Sequence, residues 1–526
     1  MRSWKAEGKR QKARGKRQKA RARGKRQEAE EGGGAYSFRL TARVQTMQKI
    51  LGIFEQISRI PRCSGQEGKI SAFLTEWAQV RGFAVRADAV GNLLISVPAS
   101  PGQQQAPAVV LQCHMDMVCE KTPDSGHDFA VDPLQLIYEG DWLTAANTTL
   151  GADNGAGLAT ALALAEDPEL IHPQLEILCT VDEESGLTGA SSLAAGFFTG
   201  RILINLDSED EGVFTIGCAG GRHIELILPL HHEPAPASDP VYELRVHGLQ
   251  GGHSGINIHE QRGNANTLLA RLLTRLRAAM PLRLAAIEGG SAHNAIPRDA
   301  AASLVVLPAD EVLLAALVAE LAAGLRAEYR HEPDLAVSVQ KKAEHAGRVL
   351  SRETTAKVCD LLMAVPDGVM AMSKEVAGLV DTSMNFATIR EQDGALSLLF
   401  SLRSVRPAGI EWLAGRIIAL AALARAGVRQ GNGYPGWQPD MQSELLARAR
   451  QVYQGLFRSE PVIQIIHAGL ECGIIGAKYP GMDMISIGPT IKNPHSPQEA
   501  LLLPTLAKIR QFTGALITSY CERAAK

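Results

Sequence analysis

Short β-branched runs that each end abruptly in acidic or imidazole residues constrain this chain more than any other feature. Val109-Val110-Leu111 leads into His114-Met115-Asp116, Leu175 to Val181 into Asp182-Glu183-Glu184, and Ile202 to Leu206 encloses Asn205 and stops at Asp207. Apolar runs this short are expected to be strands buried inside a sheet. Helical patterns separate them. Apolar residues recur at Ile50, Ile53, Phe54 and Ile57, a second helix is expected from Lys69 to Arg81, and the small residues from Gly155 to Ala165 suit a helix packed closely on a sheet. Strands alternating with helices predict an α/β layer fold, and an open sheet of that kind gathers its ligands where the strands end.

A chain of 526 residues exceeds the ~250–300 that a single core serves, so at least two domains are expected. After Gly217-Cys218-Ala219-Gly220-Gly221 the texture changes to Leu/Ala/Arg-rich helices, Ala265 to Ala279 and Asp310 to Glu328, which alternate with short strands. Beyond Gly431-Asn432-Gly433 a helix (Ser443 to Phe457), a strand-like Val462 to Ile466 and a motif-dense stretch from His467 to Pro497 follow. The expected division is a catalytic domain of residues 47–221 and 432–526, interrupted by an inserted α+β domain of residues 222–431. Residues 1–46 repeat GKRQKAR and place thirteen Lys/Arg in their first 27 positions, leaving 41 basic against 55 acidic residues elsewhere. They read as a disordered, solvated tail. Nucleic-acid contact through it is not favoured, because no base-reading element accompanies the charge. Eight scattered cysteines without CxxC pairs read as reduced thiols of a cytoplasmic protein. No uninterrupted apolar stretch reaches the ~20 residues of a membrane span, so no membrane association is expected.

Five polar points converge under this topology: His114-Met115-Asp116, Gly151-Ala152-Asp153-Asn154-Gly155, Glu183-Glu184, Asp207, and His495 in the loop after Ser486-Ile487-Gly488-Pro489. Two imidazoles with several carboxylates form a donor set suited to zinc, manganese or cobalt. Residues i and i+2 of a strand share a face, so Asp116 can hold the ring of His114 from behind. Cys113, adjacent to His114, faces the other way and enters the core. Taken alone, Asp153 reads first as a helix N-cap, and the lesser alternative for the Glu183-Glu184 pair is a solvated acidic turn capping the next helix. Together with the other points, like charges side by side are explained by a dication that compensates them. Three carboxylates and a hydroxide balance two divalent ions better than one.

These segments, in this order, resemble the aminoacyl-histidine dipeptidases (Xaa-His dipeptidases) of the carnosinase-like metallopeptidases. The resemblance runs through LQCHMDMV from Leu111, TTLGADNGAG from Thr148, TVDEESGLTGA from Thr180, LQGGHSG from Leu249, NAIPR from Asn294, IQIIHAGLECG from Ile463 and SIGPTIKNPHSP from Ser486. It implies a zinc-peptidase-like catalytic domain, a mixed sheet flanked by helices, carrying an α+β lid. It also implies metal ligation by His114 and Asp207 at one ion and Glu184 and His495 at the other, with Asp153 bridging and its peptide bond to Asn154 cis. Glu183 is then the general base and Asp116 the partner of His114, while His253, Asn294 and Arg403 of the lid, with Gly469, meet the substrate. The implied activity is hydrolysis of unblocked dipeptides, Xaa-His among them, by a homodimer. An N-acyl-amino-acid deacylase of the same metal fold is the alternative, since the motifs specify an amide and not which amide.

Overall fold

The computed structural model describes residues 47–521 except 237, 375 and 377, so the reading of residues 1–46 lies outside the described part. An eight-stranded mixed sheet runs in the order Ala84–Ala87, Leu93–Val97, Leu175–Thr180, Val109–His114, Ile202–Asn205, Asp483–Ser486, Val213–Cys218, Val462–Ile466. Its central strands Leu175–Thr180, Val109–His114 and Ile202–Asn205 are parallel and in continuous register. Every residue of the first two is buried, as layers on both faces demand. Alternation divides them: Leu111 joins the core with Phe54, Leu74, Leu158 and Phe512, and Val110 joins that with Phe198, Cys472 and Ile475. The helix Ala152–Ala165 is built of small residues because it lies tight on the sheet; a Cβ at Gly157 would come within 2.4 Å of the Leu206 carbonyl oxygen.

A second, wholly antiparallel sheet of nine strands follows the order Ala336–Lys341, Val241–His247, Ala300–Val306, Leu282–Gly289, Val380–Gln392, Ala395–Ser404, Gly220–Pro229, Gly427–Gln430, with Gly368–Met372 beside Val380–Gln392. One face is apolar and buried under helices Ala265–Ala279, Arg352–Ala364 and Pro407–Ala424. The last of these has the length and hydropathy of a membrane span, yet Ile410, Leu413, Ala414, Ile417 and Ala421 are buried in this core. The chain enters the second sheet beside the place where it leaves. Cys218 pairs with Trp437 and Gly221 with Tyr434 through reciprocal backbone hydrogen bonds of 2.8–3.1 Å. Only glycine fits there, since a Cβ at Gly220 would meet the Gly436 nitrogen at 2.5 Å.

A small four-stranded sheet, Ile491–Lys492, Ala500–Leu502, Trp142–Ala145, Leu136–Glu139, holds the loop carrying His495 near the segment that leads into Asp153. One expectation is corrected: Cys63 and Cys119 form a disulfide, their Cα atoms 5.8 Å apart. A parallel bridge between Cys63 and Met117 brings the two loops side by side, a proximity that a sequence separation of 56 conceals. The other six cysteines are free, and Cys113 is buried in the core as anticipated.

Candidate active site

The polar residues at the strand ends form two interlocked groups. His114 Nε2, at the end of Val109–His114, lies 3.1 Å from Asp153 Oδ1 and 3.3 Å from Asp207 Oδ1. His495 Nε2 lies 3.1 Å from Asp153 Oδ2 and 3.0 Å from Glu184 Oε2. The Nε2 of each imidazole thus faces two carboxylates, and Asp153 gives one oxygen to each group. Backbone shape delivers these contacts. Gly151 and Asp182 are left-handed just before Asp153 and Glu183, His495 is itself left-handed at φ 59°, and the Asp153–Asn154 peptide bond is cis. Non-glycine residues held in that region concentrate at functional sites. Asn154 donates to the Leu206 carbonyl at 2.8 Å and to Asp207 Oδ1, coupling the two ligand-bearing segments.

Behind this layer, Asp116 is fully buried. Its carboxylate lies 3.3 Å from His114 Nδ1 and accepts from Ser64 Oγ at 2.8 Å and from the backbone N–H groups of Glu183 and Glu184 at 3.1 and 3.2 Å. One side chain therefore orients an imidazole and the start of the Glu183–Gly186 helix together. Burial works against this carboxylate, but the bonds to His114, Ser64 and Glu183 outweigh it and hold Asp116 far below the usual carboxylate range.

The electrostatics describe a cage made for cations. Hydrogen bonds to Asp153 and Glu184 raise His495 to about 11, and Asp207, Asp116 and Asp153 raise His114 against the opposing effect of burial. Burial pushes Asp207 up to about 7. Burial also raises Glu183, with Asp207 and Glu184 adding to it and His114 opposing. Glu184 Oε1 is buried without a hydrogen-bond partner. Oxygen and nitrogen donors of His114, Asp153 and Glu184 all lie within 4.8 Å of one another. An orphaned carboxylate oxygen, and a shared aspartate between two imidazole–carboxylate groups, fit a pair of divalent cations.

The second sheet supplies the opposite wall. Ser383, Arg403 and Gly221 stand in one cross-strand row. Arg403 is 6% exposed; its Nη1 donates to Tyr434 Oη at 2.8 Å, its Nε has no partner, and its Nη2 lies 3.4 Å from His253 Nε2. His253 Nδ1 accepts from the Gly255 and Ile256 N–H groups at 3.3 and 3.1 Å, which leaves the proton on Nε2. Burial and Arg403 keep that ring neutral, its pKa lowered to about 4. Two donors face each other there, an arrangement that an anionic acceptor between them would satisfy. Asn294 is exposed and its carbonyl accepts from Ser254 N at 2.8 Å; its side chain is not drawn into this group. Gly469 is positioned through Tyr434, whose ring a Cβ at that position would meet at 2.7 Å. A cavity of about 460 Å³ beside Asp207 is lined by Ile465 and His467 at the end of the strand Val462–Ile466, by Ile256 and His259 from the loop after His253, and by Val380 of the second sheet.

Sequence reasoning missed several residues of this neighbourhood. Tyr434, His467 and Glu499 stand in motifs singled out above or close to them, without a role, and Arg62 stands in the unassigned stretch between the first two expected helices. His467 Nε2 shares a hydrogen bond of 2.7 Å with Ser383 Oγ. A signal was present for the last two: an isolated charge abutting an apolar run, as in Ile60-Pro61-Arg62 and Glu499-Ala500-Leu501, has to be satisfied where it is buried.

A two-sheet chain with such a cage at the strand ends of one sheet and a buried guanidinium beside a neutral imidazole donor on the other belongs to the class of metal-dependent peptidases. A family profile described as the M20 peptidase dimerisation domain matches residues 244–333. Over 456 residues, 86% of this chain and 93% of the relative, the chain is 42% identical to the cytosol non-specific dipeptidase of Escherichia coli (strain K12). The crystal structure of aminoacylhistidine dipeptidase from Vibrio alginolyticus matches with a TM-score of 0.81 and 40% identity, covering 90% of this chain and 97% of that one. Aminopeptidase PepT from Bacillus cereus, at 16% identity and a TM-score of 0.54 over 90% of this chain and 98% of its own, shares the fold. The chain belongs to the M20 peptidase family, with the dipeptidases of Escherichia coli and Vibrio alginolyticus.

Proposed function

We propose that this protein is a dinuclear metallo-dipeptidase that hydrolyses unblocked dipeptides, Xaa-His among them. The observation that carries the reading is the Asp153 carboxylate, divided between His114 with Asp207 on one side and His495 with Glu184 on the other. These five residues would hold two divalent cations, zinc by the mixture of imidazole and carboxylate, with manganese or cobalt as substitutes. When bound, such a pair supplies Lewis acidity that activates water near neutral pH and polarises the scissile carbonyl. Glu183 takes the proton from the attacking water and returns it to the leaving amine, while Asp116 fixes the tautomer of His114. Arg403, with Tyr434 behind it, anchors the substrate carboxylate, and His253 Nε2–H stabilises the developing oxyanion, a role that Asn294 would share only once its exposed side chain turns toward the group. The carboxylate anchor and the bounded cavity favour a peptide of two residues.

The same reading assigns residues 47–221 and 432–526 to the catalytic domain and 222–431 to the lid. It takes the matched dimerisation segment as the contact of a homodimer. A cytoplasmic location rests on likeness to the relative named for the cytosol. Thiols are kept reduced there, so the Cys63–Cys119 disulfide belongs to the oxidised form of the protein. The test is a panel of dipeptides, β-alanyl-histidine included, against N-acetyl amino acids with metal-loaded enzyme. Turnover of the free dipeptides is expected; turnover of acylated substrates alone would replace this reading with a deacylase.

A further inference from the structure

Glu499 has no part in the chemistry described so far, yet its carboxylate is 2% exposed and accepts four consecutive backbone N–H groups. Oε2 takes those of Leu150 and Gly151 at 2.8 and 2.9 Å, and Oε1 those of Ala152 and Asp153 at 2.7 and 3.3 Å. The opposite edge of the same segment is held by Arg62, 1% exposed, whose Nη2 donates to the Gly151 carbonyl. Arg62 Nη1 donates to the carbonyls of Met115 and Asp116 at 3.0 and 2.7 Å, tying in the residues that follow His114. The two buried charges lie within electrostatic reach of each other. Leu150 to Asp153 therefore runs between a buried anion and a buried cation, and it ends at the aspartate that both imidazoles share.

We infer that Glu499 is a positioning residue which, with Arg62 as counter-ion, holds the Asp153 carboxylate astride the two groups. The inference rests on the reading of Asp153 as a bridging ligand. Four N–H donors need four acceptor sites, which an ionised carboxylate provides and an amide does not. Glu499 also stands four residues after His495 and directly before the strand Ala500–Leu502. One side chain thus sets Asp153 relative to the loop that brings His495 across from the far end of the chain. Partners of this kind, one step removed from the ligands, are worth roughly 10–100-fold in metal affinity.

The experiment is equilibrium dialysis of full-length wild type, Glu499→Gln and Asp153→Asn against buffered zinc, with metal content, the apoprotein melting temperature and dipeptide kinetics measured on each. Glu499→Gln is expected to bind zinc roughly 10–100-fold more weakly and to lower kcat, with KM held to about a factor of two. A lower melting temperature with wild-type zinc affinity and kcat would make Glu499 a merely structural residue and overturn the proposal. Two full metal equivalents in Asp153→Asn would instead remove the ligand reading beneath it, leaving the clamp nothing to position. Should Glu499→Gln not fold, amide exchange on wild-type apoprotein decides: protection of residues 150–153 equal to that of Val109–His114 is expected, and exchange at loop rates would overturn the clamp.

Discussion

Glu183 is half-buried among acids, and its carboxyl is raised by that burial before any neighbour acts on it. Dications in front of it would pull the other way, and the balance suits a base that works near neutral pH. Glu183→Gln is expected to keep its metal and lose activity roughly 10²–10⁴-fold, whereas His114→Ala and His495→Ala lose metal; metal content beside specific activity checks this. A metal-depleted Glu183→Gln would make that residue a ligand. His114 and Glu183 were legible in the sequence because each follows an apolar run, where an unpaired charge needs a reason, whereas His495 stood out only as part of the SIGPTIKNPHSP segment. For Glu499 the charge abutting an apolar run marked only a need for partners, and not which ones, because these are backbone N–H groups 346 to 349 positions away that any residue type could have supplied.

At the scale of elements, the loop carrying Gly469 and the strand carrying Arg403 meet through one ring. Adding a methyl in Gly469→Ala would press on Tyr434 Cε2 at 2.7 Å and displace the hydroxyl that accepts from Arg403. A rise in KM of about tenfold with kcat little changed is expected, the order of one hydrogen bond to a charged group. Steady-state kinetics on a dipeptide measure it, and an unchanged KM would separate Gly469 from substrate binding. The same wall has a pH signature. Burial lowers His253 and His223 to about 4 and His467 to about 3, with Arg403 contributing to each. Between an unfolded value near 6.5 and these values the unfolded chain binds protons that the folded one refuses, so stability falls as pH falls. Asp367, raised to about 6 by burial, contributes with the opposite sign. Asp207 and Glu471, raised to about 7, and Glu209, raised to about 8, act in the same sense as Asp367, so the histidine contribution is read by difference: His467→Gln, which cannot take up the proton, should lose less melting temperature, or gain more, than wild type between pH 7 and 4.5. Helices and central strands were legible from their periods, and Gly68–Val80 and Ala265–Ala279 fall within a residue or so of the pattern. The sheet beside His495 was not, because strands of two to four residues leave no period to read.

On the scale of the whole molecule, the five proposed ligands span positions 114 to 495, so metal binding and folding are linked. Removing cations leaves Asp153, Glu184 and Asp207 crowded together with only two imidazoles to share their charge. Chelation should therefore lower the melting temperature by an amount that grows with the metal concentration it replaces, as linkage requires. Calorimetry with and without chelator checks this, and an equal midpoint for metal-free and metal-loaded protein would place the cations elsewhere. The presence of two layered units was readable from length and from the change of texture near Gly217. How they face each other was not, because the row of Ser383, Arg403 and Gly221 depends on strand register, which only tertiary packing fixes.

The paired backbone at Cys218 with Trp437 and Gly221 with Tyr434 has a mechanical meaning. Outgoing and returning chain form a single stalk, so the inserted unit hangs from its host like a door on one hinge post. A graft that preserves the post could exchange the whole appendage, Arg403 and His253 with it, while leaving the ligand-bearing strand ends of the host intact.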